Sequence, residues 1–287
     1  MDTYEGEPLK RHPREGLAVP GAQTGVVAIL RVFGVTAAGH SVLAHIHGFT
    51  PYFWTAPPAG MTEQDVPAFQ IALEAQLAGA RAKNRLPAAV LSVSLVPDKQ
   101  SLLGYHGGRT QSMLQIFVAL PTIVPTAKGV LERGFAFGRV PAKSYLCFEA
   151  SIPFVLRYMI DNGVTGCNWL EFPAGAYLVR PPNRHLSHVQ LEVDIVFDSV
   201  ISHAPEGEWQ RVAPLRILSF DIECCGRKGH FPEAEQDPVI QIASVVTLQG
   251  SATSIVRNVM TLNTTSPIVG AQVLSFAREE DMVRSAR

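Results

Sequence analysis

Two acidic residues in the last third of the chain have the spacing of a divalent-cation site. Asp221 and Glu223 lie two positions apart in the apolar run 215–223. In an extended strand, residues i and i+2 project from the same face, so both carboxylates would converge on one point. Like charges held together in apolar surroundings resist ionisation, and a hard cation such as Mg²⁺ or Mn²⁺ removes that conflict. The spacing predicts a metal-dependent phosphodiester-cleaving site, of which this chain supplies the first part.

The surroundings of this pair decide how it is interpreted. An Asp-x-Glu pair is also typical of solvated carboxylates on an exposed strand. The apolar residues 217–220 predict a buried strand instead. Arg227 and Lys228 follow and put positive charge where a phosphate backbone could pass. Asp221 and Glu223 are therefore the candidate catalytic and metal-binding residues, and Arg227 and Lys228 the candidate nucleic-acid contacts.

Composition limits the class of protein. The 287 residues are 47% hydrophobic and 17% charged, which suffices for one large domain or two ordinary ones. No apolar run is long enough to cross a membrane, and the N-terminus lacks a secretory pattern. The net charge of −1 lacks the basic excess of a stand-alone nucleic-acid binder, so DNA contacts would depend on local patches. The four cysteines have no C-x-x-C spacing and predict free thiols.

The chain divides into three parts with an α+β pattern. Residues 1–24 are rich in Gly, Pro and charge and predict a disordered tail. Residues 25–210 form a strand-rich domain, and 211–287 begin a second domain after the Pro- and Gly-containing connector 203–214. Three strand-like runs in that last part predict an antiparallel meander that starts a mixed sheet.

Local patterns predict several elements. Phe69, Leu73 and Leu77 form the apolar stripe of a helix that begins near Asp65. Alternation in 189–197 predicts a strand with one solvated face, and Ser275 could cap a last helix. A moderate helix is also predicted over 126–137, although two glycines weaken it.

Two further groups leave alternatives open. The aromatic residues of 49–54 are typical of a core, although aromatics in a strand-rich module also stack on bases. His45 and His47 share one strand face, but no second pair completes a zinc site. Of the remaining histidines, including His106 and His230, none has the spacing of a ligand set.

Residues 215–224 resemble the first exonuclease motif of family B DNA polymerases, in particular of their replicative members. The resemblance extends along the chain from about residue 25 to the end. It is carried by short motifs: Phe33-Gly-Val-Thr, His45-Ile-His-Gly-Phe49, Gly104-Tyr-His106, Gly166-Cys-Asn-Trp-Leu-Glu171, Gly226-Arg-Lys-Gly229, Phe231-Pro-Glu, Asp237-Pro-Val-Ile-Gln-Ile242 and Arg278-Glu-Glu-Asp281.

The resemblance implies a fold and a function. An N-terminal domain with an OB-like module would precede an RNase-H-like mixed α/β exonuclease sheet. Asp221 and Glu223 would match the first-motif ligands of a proofreading 3′→5′ exonuclease that uses Mg²⁺ or Mn²⁺. The expected partners are a single-stranded DNA 3′ end, primer–template DNA, other polymerase subunits and the sliding clamp, in the nucleus and away from membranes.

The sequence also departs from the family. The second and third exonuclease motifs, the polymerase palm and the C-terminal metal modules have no counterpart in it. We therefore expect a truncated chain without appreciable nuclease or polymerase activity by itself. One alternative is a non-catalytic module that binds single-stranded nucleic acid or partner subunits. Another is a different metal nuclease that shares only the carboxylate strand.

Overall fold

The computed structural model describes residues 1–100 and 107–286 of the chain. The resembling motif at 104–106, with His106, lies outside the described residues. The chain separates into two compact units. The first unit contains Met1–Gly34 and Ser41–Arg211, and the second contains Val35–His40 and the chain from Val212 onward.

The described residues contain seventeen strands and five α-helices. The strands are β1 Asp2–Gly6, β2 Val27–Val35, β3 Ser41–His47, β4 Tyr52–Thr55, β5 Val90–Lys99, β6 Gln111–Val118, β7 Phe135–Phe137, β8 Val140–Lys143, β9 Cys147–Phe148, β10 Leu170–Glu171, β11 Tyr177–Val179, β12 Leu191–Val196, β13 Ile201–Ser202, β14 Arg216–Cys224, β15 Val239–Leu248, β16 Ser254–Leu262 and β17 Gln272–Phe276. The helices are α1 Val66–Gln76, α2 Ala78–Lys83, α3 Ile123–Arg133, α4 Phe154–Asp161 and α5 Glu279–Ser285. This composition confirms the α+β class.

Two sheets organise the first unit. One has the strand order β1-β2-β3-β12-β11, with β12 parallel to β3. The other has the order β5-β6-β4-β9 and is antiparallel at each of its pairings. The pairs β7-β8 and β10-β13 complete the unit. These sheets confirm the prediction of a strand-rich first part. The order of the strands could not be predicted from the sequence.

The predicted apolar stripe of α1 lies in the largest core of the first unit. Phe69, Leu73 and Leu77 are fully buried and pack with residues of β5 and β6. In the aromatic segment, Phe53 and Trp54 are also buried. The core interpretation of these aromatic rings is therefore confirmed, since a buried ring offers no face to a nucleobase.

The first residues differ from the expected disordered tail. Asp2–Gly6 form β1 and pair antiparallel with Val27–Arg31 of β2. Asp2 binds Arg31 through two hydrogen bonds of 2.6 and 2.7 Å. The prediction was wrong here because the partners lie more than twenty residues away, and local composition does not show them.

Two helix boundaries also differ from the predictions. The helix expected over 126–137 starts at Ile123 and ends at Arg133, directly before Gly134, whose φ is 86°. A Cβ at Gly134 would lie 2.4 Å from the Lys143 carbonyl oxygen, so the close pairing of β7 with β8 requires glycine. Ser275 lies in β17, and the last helix begins at Glu279.

The second unit is one four-stranded sheet covered by one helix. Its order is β14-β15-β16-β17, antiparallel except for β17, which runs parallel to β16. Met282 of α5 packs on Ile242 and Met260. The three predicted strands and the antiparallel meander are confirmed, and β17 makes the sheet mixed.

A buried ionic network joins β3, β11–β12 and the segment after β11. Glu192 was predicted to face solvent, yet its side chain is fully buried. Its carboxylate accepts hydrogen bonds from His45 Nε2 at 3.0 Å and from Ser187, through both its amide and its hydroxyl. Arg180 and His47 bind the next acid, Asp194, at 2.6 and 2.7 Å. The alternation rule failed because Arg180, the histidine rings and Ser187 replace water around the two carboxylates.

The network shifts the acidity of its members. Burial lowers the pKa of His45, whose Nδ1 lies 3.0 Å from the Tyr4 hydroxyl. Burial alone would raise the pKa of Glu192, but the hydrogen bonds from His45 and from the 186–187 segment outweigh it and lower that pKa. Asp194 follows the same pattern: hydrogen bonds from His47 and Arg180 outweigh burial and lower its pKa strongly.

We expect Glu192→Ala to destabilise the first unit by about 3–5 kcal/mol, because it leaves buried donors and Arg180 without this acceptor. Urea unfolding followed by tryptophan fluorescence measures this, since Trp54, Trp169 and Trp209 all lie in the first unit. Glu15→Ala is the control, since Glu15 is exposed and its loss should change the free energy of unfolding by at most about 0.5 kcal/mol. Equal stabilities of the two variants would contradict the role of the network.

The stability of the first unit should fall on acidification in two stages. Below the unfolded histidine pKa of about 6.5, the unfolded chain binds a proton that buried His45 resists. Below about pH 4, the unfolded chain binds protons that Glu192 and Asp194 resist, so their contribution is lost in turn. Urea midpoints at about pH 8 and about pH 5.5 should differ less in His45→Gln than in the wild type. An undiminished difference would show that another group titrates.

Candidate metal and nucleic-acid site

Strand β14 carries the two candidate ligands. Asp221 lies opposite Ala243 of β15, and Glu223 lies opposite Gln241. The register shifts directly after Glu223, at a bulge between Glu223 and Cys224. Because i and i+2 side chains share a face, the structure brings both carboxylates to one face near the end of the strand, as the spacing predicted.

That face is opposite to the one that α5 covers. Ile242 lies between Gln241 and Ala243, so its side chain projects to the other side, where it packs against Met282. The carboxylates therefore project away from the small core of the second unit. The alternation of side chains along β14 and β15 thus puts the two carboxylates on one face of the sheet and the contacts with α5 on the other.

The prediction that residues 217–220 form a buried strand was wrong, because β14 is exposed. In β14, Leu218 is 56% exposed and Phe220 is 63% exposed. The strand is at the edge of the sheet, and the core residues of this unit come from β15, β16, β17 and α5. The apolar sequence predicted burial, but no element of the second unit's described part packs on these side chains.

Both carboxylates lack a positive partner within the described residues. The hydrogen bond recorded for Asp221 comes from the amide of Ile222, at 3.0 Å. Two adjacent carboxylates without a counter-charge fit a hard divalent cation. The described residues contain no group of three or more His, Cys, Asp or Glu side chains placed to hold a metal ion. Asp221 and Glu223 thus remain two candidate ligands.

The candidate nucleic-acid residues lie in the loop after β14 and differ from each other. Arg227 is engaged within the loop: its guanidinium binds Asp237 at 3.2 Å, Gln236 at 2.5 Å and Glu233 at 3.1 Å. Lys228 is exposed, and no ion pair is recorded for it in the part of the chain that the structure describes. Of the two, Lys228 is the residue whose charge can meet a phosphate without breaking a contact.

Asp237 organises this loop and was missed as a functional residue by the sequence analysis. Its side chain is fully buried and accepts hydrogen bonds from the amides of Glu233 and Arg227, at 2.8 and 3.0 Å. The Glu233 amide, together with the Arg227 guanidinium, lowers the pKa of Asp237. The sequence signal was a single Asp before Pro238, which is common in turns.

The loop also exposes an aromatic ring. Phe231 is 91% exposed. It precedes Pro232 in the loop that the Arg227–Asp237 contact closes. Its flanks are the basic residue Lys228 and the exposed His230. Sequence reasoning used Phe231 only as part of a motif, because exposure of a single aromatic ring cannot be read from a pattern.

The alternative zinc site at His45 and His47 is not formed. The Nε2 atom of each histidine is bonded to a carboxylate, Glu192 or Asp194. Arg180 supplies the positive charge that balances these acids. The two histidines therefore belong to a structural network of the first unit.

A family model matches the second half of the chain. Residues 145–286 match the family described as DNA polymerase family B, exonuclease domain. The match begins within the first unit, before the connector 203–214.

Several curated proteins of similar sequence are DNA polymerase delta catalytic subunits. The chain is 48% identical to the DNA polymerase delta catalytic subunit of Oryza sativa subsp. japonica, over 92% of this chain and 24% of that protein. It is 43% identical to the subunit of Drosophila melanogaster, over 99% of this chain and 26% of that protein, and 45% identical to that of Bos taurus, over 93% and 24%. The chain spans about a quarter of the length of the curated relatives it matches.

A solved structure shows a similar fold. The family B DNA polymerase of the archaeon Pyrobaculum calidifontis matches 86% of this chain and 25% of its own, with a TM-score of 0.55 and 22% sequence identity. From these matches, the chain belongs to the family B DNA polymerases and corresponds to the N-terminal and exonuclease region of DNA polymerase delta catalytic subunits.

Proposed function

We propose that this chain carries the first metal-binding segment of a 3′→5′ proofreading exonuclease of a replicative DNA polymerase. The observation that supports it most is the position of Asp221 and Glu223, on one exposed face and without a counter-charge in the described residues. The match of residues 145–286 to the exonuclease family adds to it. In domain terms, residues 25–210 would be the N-terminal domain with its OB-like module, and 211–287 the start of the RNase-H-like sheet.

Each residue of the site has a distinct task. Asp221 and Glu223 would hold Mg²⁺ or Mn²⁺ through their carboxylate oxygens. Such ions activate a water molecule and stabilise the leaving 3′-oxygen when a phosphodiester is cleaved. Asp237 and Arg227 fix the loop next to the ligands, and Lys228 would contact a backbone phosphate. Phe231 is suited to stack on an unpaired base, because its ring is free on the surface.

The substrate follows from this arrangement. The ligands lie at an exposed strand edge, and the loop offers one free cation and one free ring, which suits the flexible end of a single strand. A mismatched primer terminus provides such an end. Primer–template DNA, other polymerase subunits, the sliding clamp and a nuclear location belong to the same proposal, through the relatives that the chain resembles.

A second candidate is a non-catalytic module that binds single-stranded nucleic acid. It is favoured by one observation: the described residues supply two carboxylates and no third ligand near them. For this reason we expect no appreciable turnover from this chain by itself. Divalent-dependent binding of single-stranded DNA without cleavage is compatible with both candidates, and cleavage that is lost in Asp221→Ala would reject the non-catalytic one.

We expect divalent cations to strengthen binding of single-stranded DNA, and the double variant Asp221→Ala/Glu223→Ala to remove this effect. The reason is that Asp221 and Glu223 would hold the cation, whose positive charge would attract the terminal phosphate. Fluorescence anisotropy of a labelled oligonucleotide with and without Mg²⁺ measures it. Glu206→Ala/Glu208→Ala is a matched control, since it removes two exposed acids of the same spacing in the first unit. An unchanged Mg²⁺ effect in the Asp221/Glu223 variant would count against the site.

We expect Lys228→Ala to weaken single-strand binding and to reduce the slope of log K against log salt by about 0.7, the contribution of one phosphate contact. The Tm of the variant should equal that of the wild type, because Lys228 is exposed and lies outside the Arg227–Asp237 contact. Lys83→Ala removes an exposed lysine of the first unit and serves as the control. Equal slopes for Lys228→Ala and Lys83→Ala would exclude the contact.

A further inference from the structure

A row of polar side chains crosses the sheet of the second unit and begins at Glu223. Glu223 is opposite Gln241, Gln241 is opposite Thr261, and Thr261 is opposite Ser275. Directly opposed residues share one face of a sheet, with Cβ atoms about 4.5–5.5 Å apart. Gln241 is therefore the residue of the neighbouring strand that pairs with Glu223.

Gln241 is held more firmly than Glu223. Ile242, the next residue, is 5% exposed and packs under α5. Two positions before Gln241, the amide of Val239 donates to Glu279 Oε1 at 2.7 Å, which ties this end of β15 to the first turn of α5. By contrast, β14 is an edge strand with exposed side chains. The backbone of Gln241 is thus anchored through α5, beside a more exposed strand that carries the candidate ligands.

The chemistry of a carboxamide suits this place. Gln241 has two N–H donors and no charge, so it can orient a carboxylate without neutralising it or competing with a cation. Farther along the row, the Thr261 hydroxyl is already engaged with the Asn263 carbonyl oxygen at 2.9 Å and with Ser275 Oγ at 3.3 Å. Gln241 is the member of the row that faces the candidate ligand.

From this register we propose that Gln241 is a positioning residue, whose carboxamide orients the Glu223 carboxylate for a divalent cation. The inference rests on the proposed function, because it takes Glu223 as a ligand. It adds a residue of the neighbouring strand that contributes through Glu223 and does not bind the cation itself.

A Mn²⁺ titration of the whole chain tests this role, with free Mn²⁺ measured by its electron paramagnetic resonance signal. Gln241→Ala should weaken Mn²⁺ binding about tenfold, as is typical for loss of a group that orients a metal ligand. Gln241→Glu should strengthen binding about tenfold, because a third carboxylate then lies beside the first two. This gain must vanish when Asp221→Ala/Glu223→Ala is added.

The matched control is Thr247→Glu, on the same strand and face. Thr247 lies opposite Ile217, six residues or about 20 Å from Gln241 and beyond the screening length of about 8–10 Å. Its Mn²⁺ affinity should equal that of the wild type. A gain in Thr247→Glu as large as in Gln241→Glu would show a general charge effect and overturn the assignment.

The possible failures are distinguishable. If Asp221→Ala/Glu223→Ala binds Mn²⁺ like the wild type, the metal site itself is rejected, and the role of Gln241 with it. If that double variant loses binding while Gln241→Ala and Gln241→Glu match the wild type, the role of Gln241 alone is rejected. Equal circular dichroism spectra for all variants show that folding is not the cause.

Discussion

The repulsion between two carboxylates on one strand face is the constraint on which this structure depends. The chain contains it twice, as Glu192 with Asp194 and as Asp221 with Glu223. In the first pair, Arg180 supplies positive charge and the two histidines hydrogen-bond the carboxylates, with Glu192 buried and Asp194 partly buried. In the second pair, no cation is recorded among the described residues, and the acids stay in solvent. One pair is satisfied within the fold, and the other is exposed without a counter-charge in the described residues.

The two acidic pairs lie on strands with different surroundings. The first pair lies on β12, in the interior of a five-stranded sheet, where unpaired charge would be costly. The second lies on the edge strand β14, whose position depends on its ladder with β15. Glu279 and Met282 of α5 hold β15 from the opposite face. The helix α5 thus supports β14 indirectly, through β15.

Sequence patterns predicted much of the architecture because they report local periodicity. The stripe of α1 and the strands of the second unit lie where spacing and alternation put them, and the shared face of Asp221 and Glu223 follows from their separation. The patterns failed where distant partners decide the outcome. Asp2–Gly6 form a strand through β2, Glu192 is buried through Arg180, and β14 is exposed because α5 packs elsewhere. Arg227 belongs to this second group, since its partner Asp237 is ten residues away.

The first strand has a consequence for the interior of the first unit. Tyr4 of β1 is the residue that reaches Nδ1 of His45, and Asp2 fastens the same strand to Arg31. Removal of the first strand would therefore disturb more than the edge of a sheet, because it would take away the tyrosine hydroxyl beside a buried imidazole. The first strand thus contacts a buried histidine forty-one positions farther along the chain.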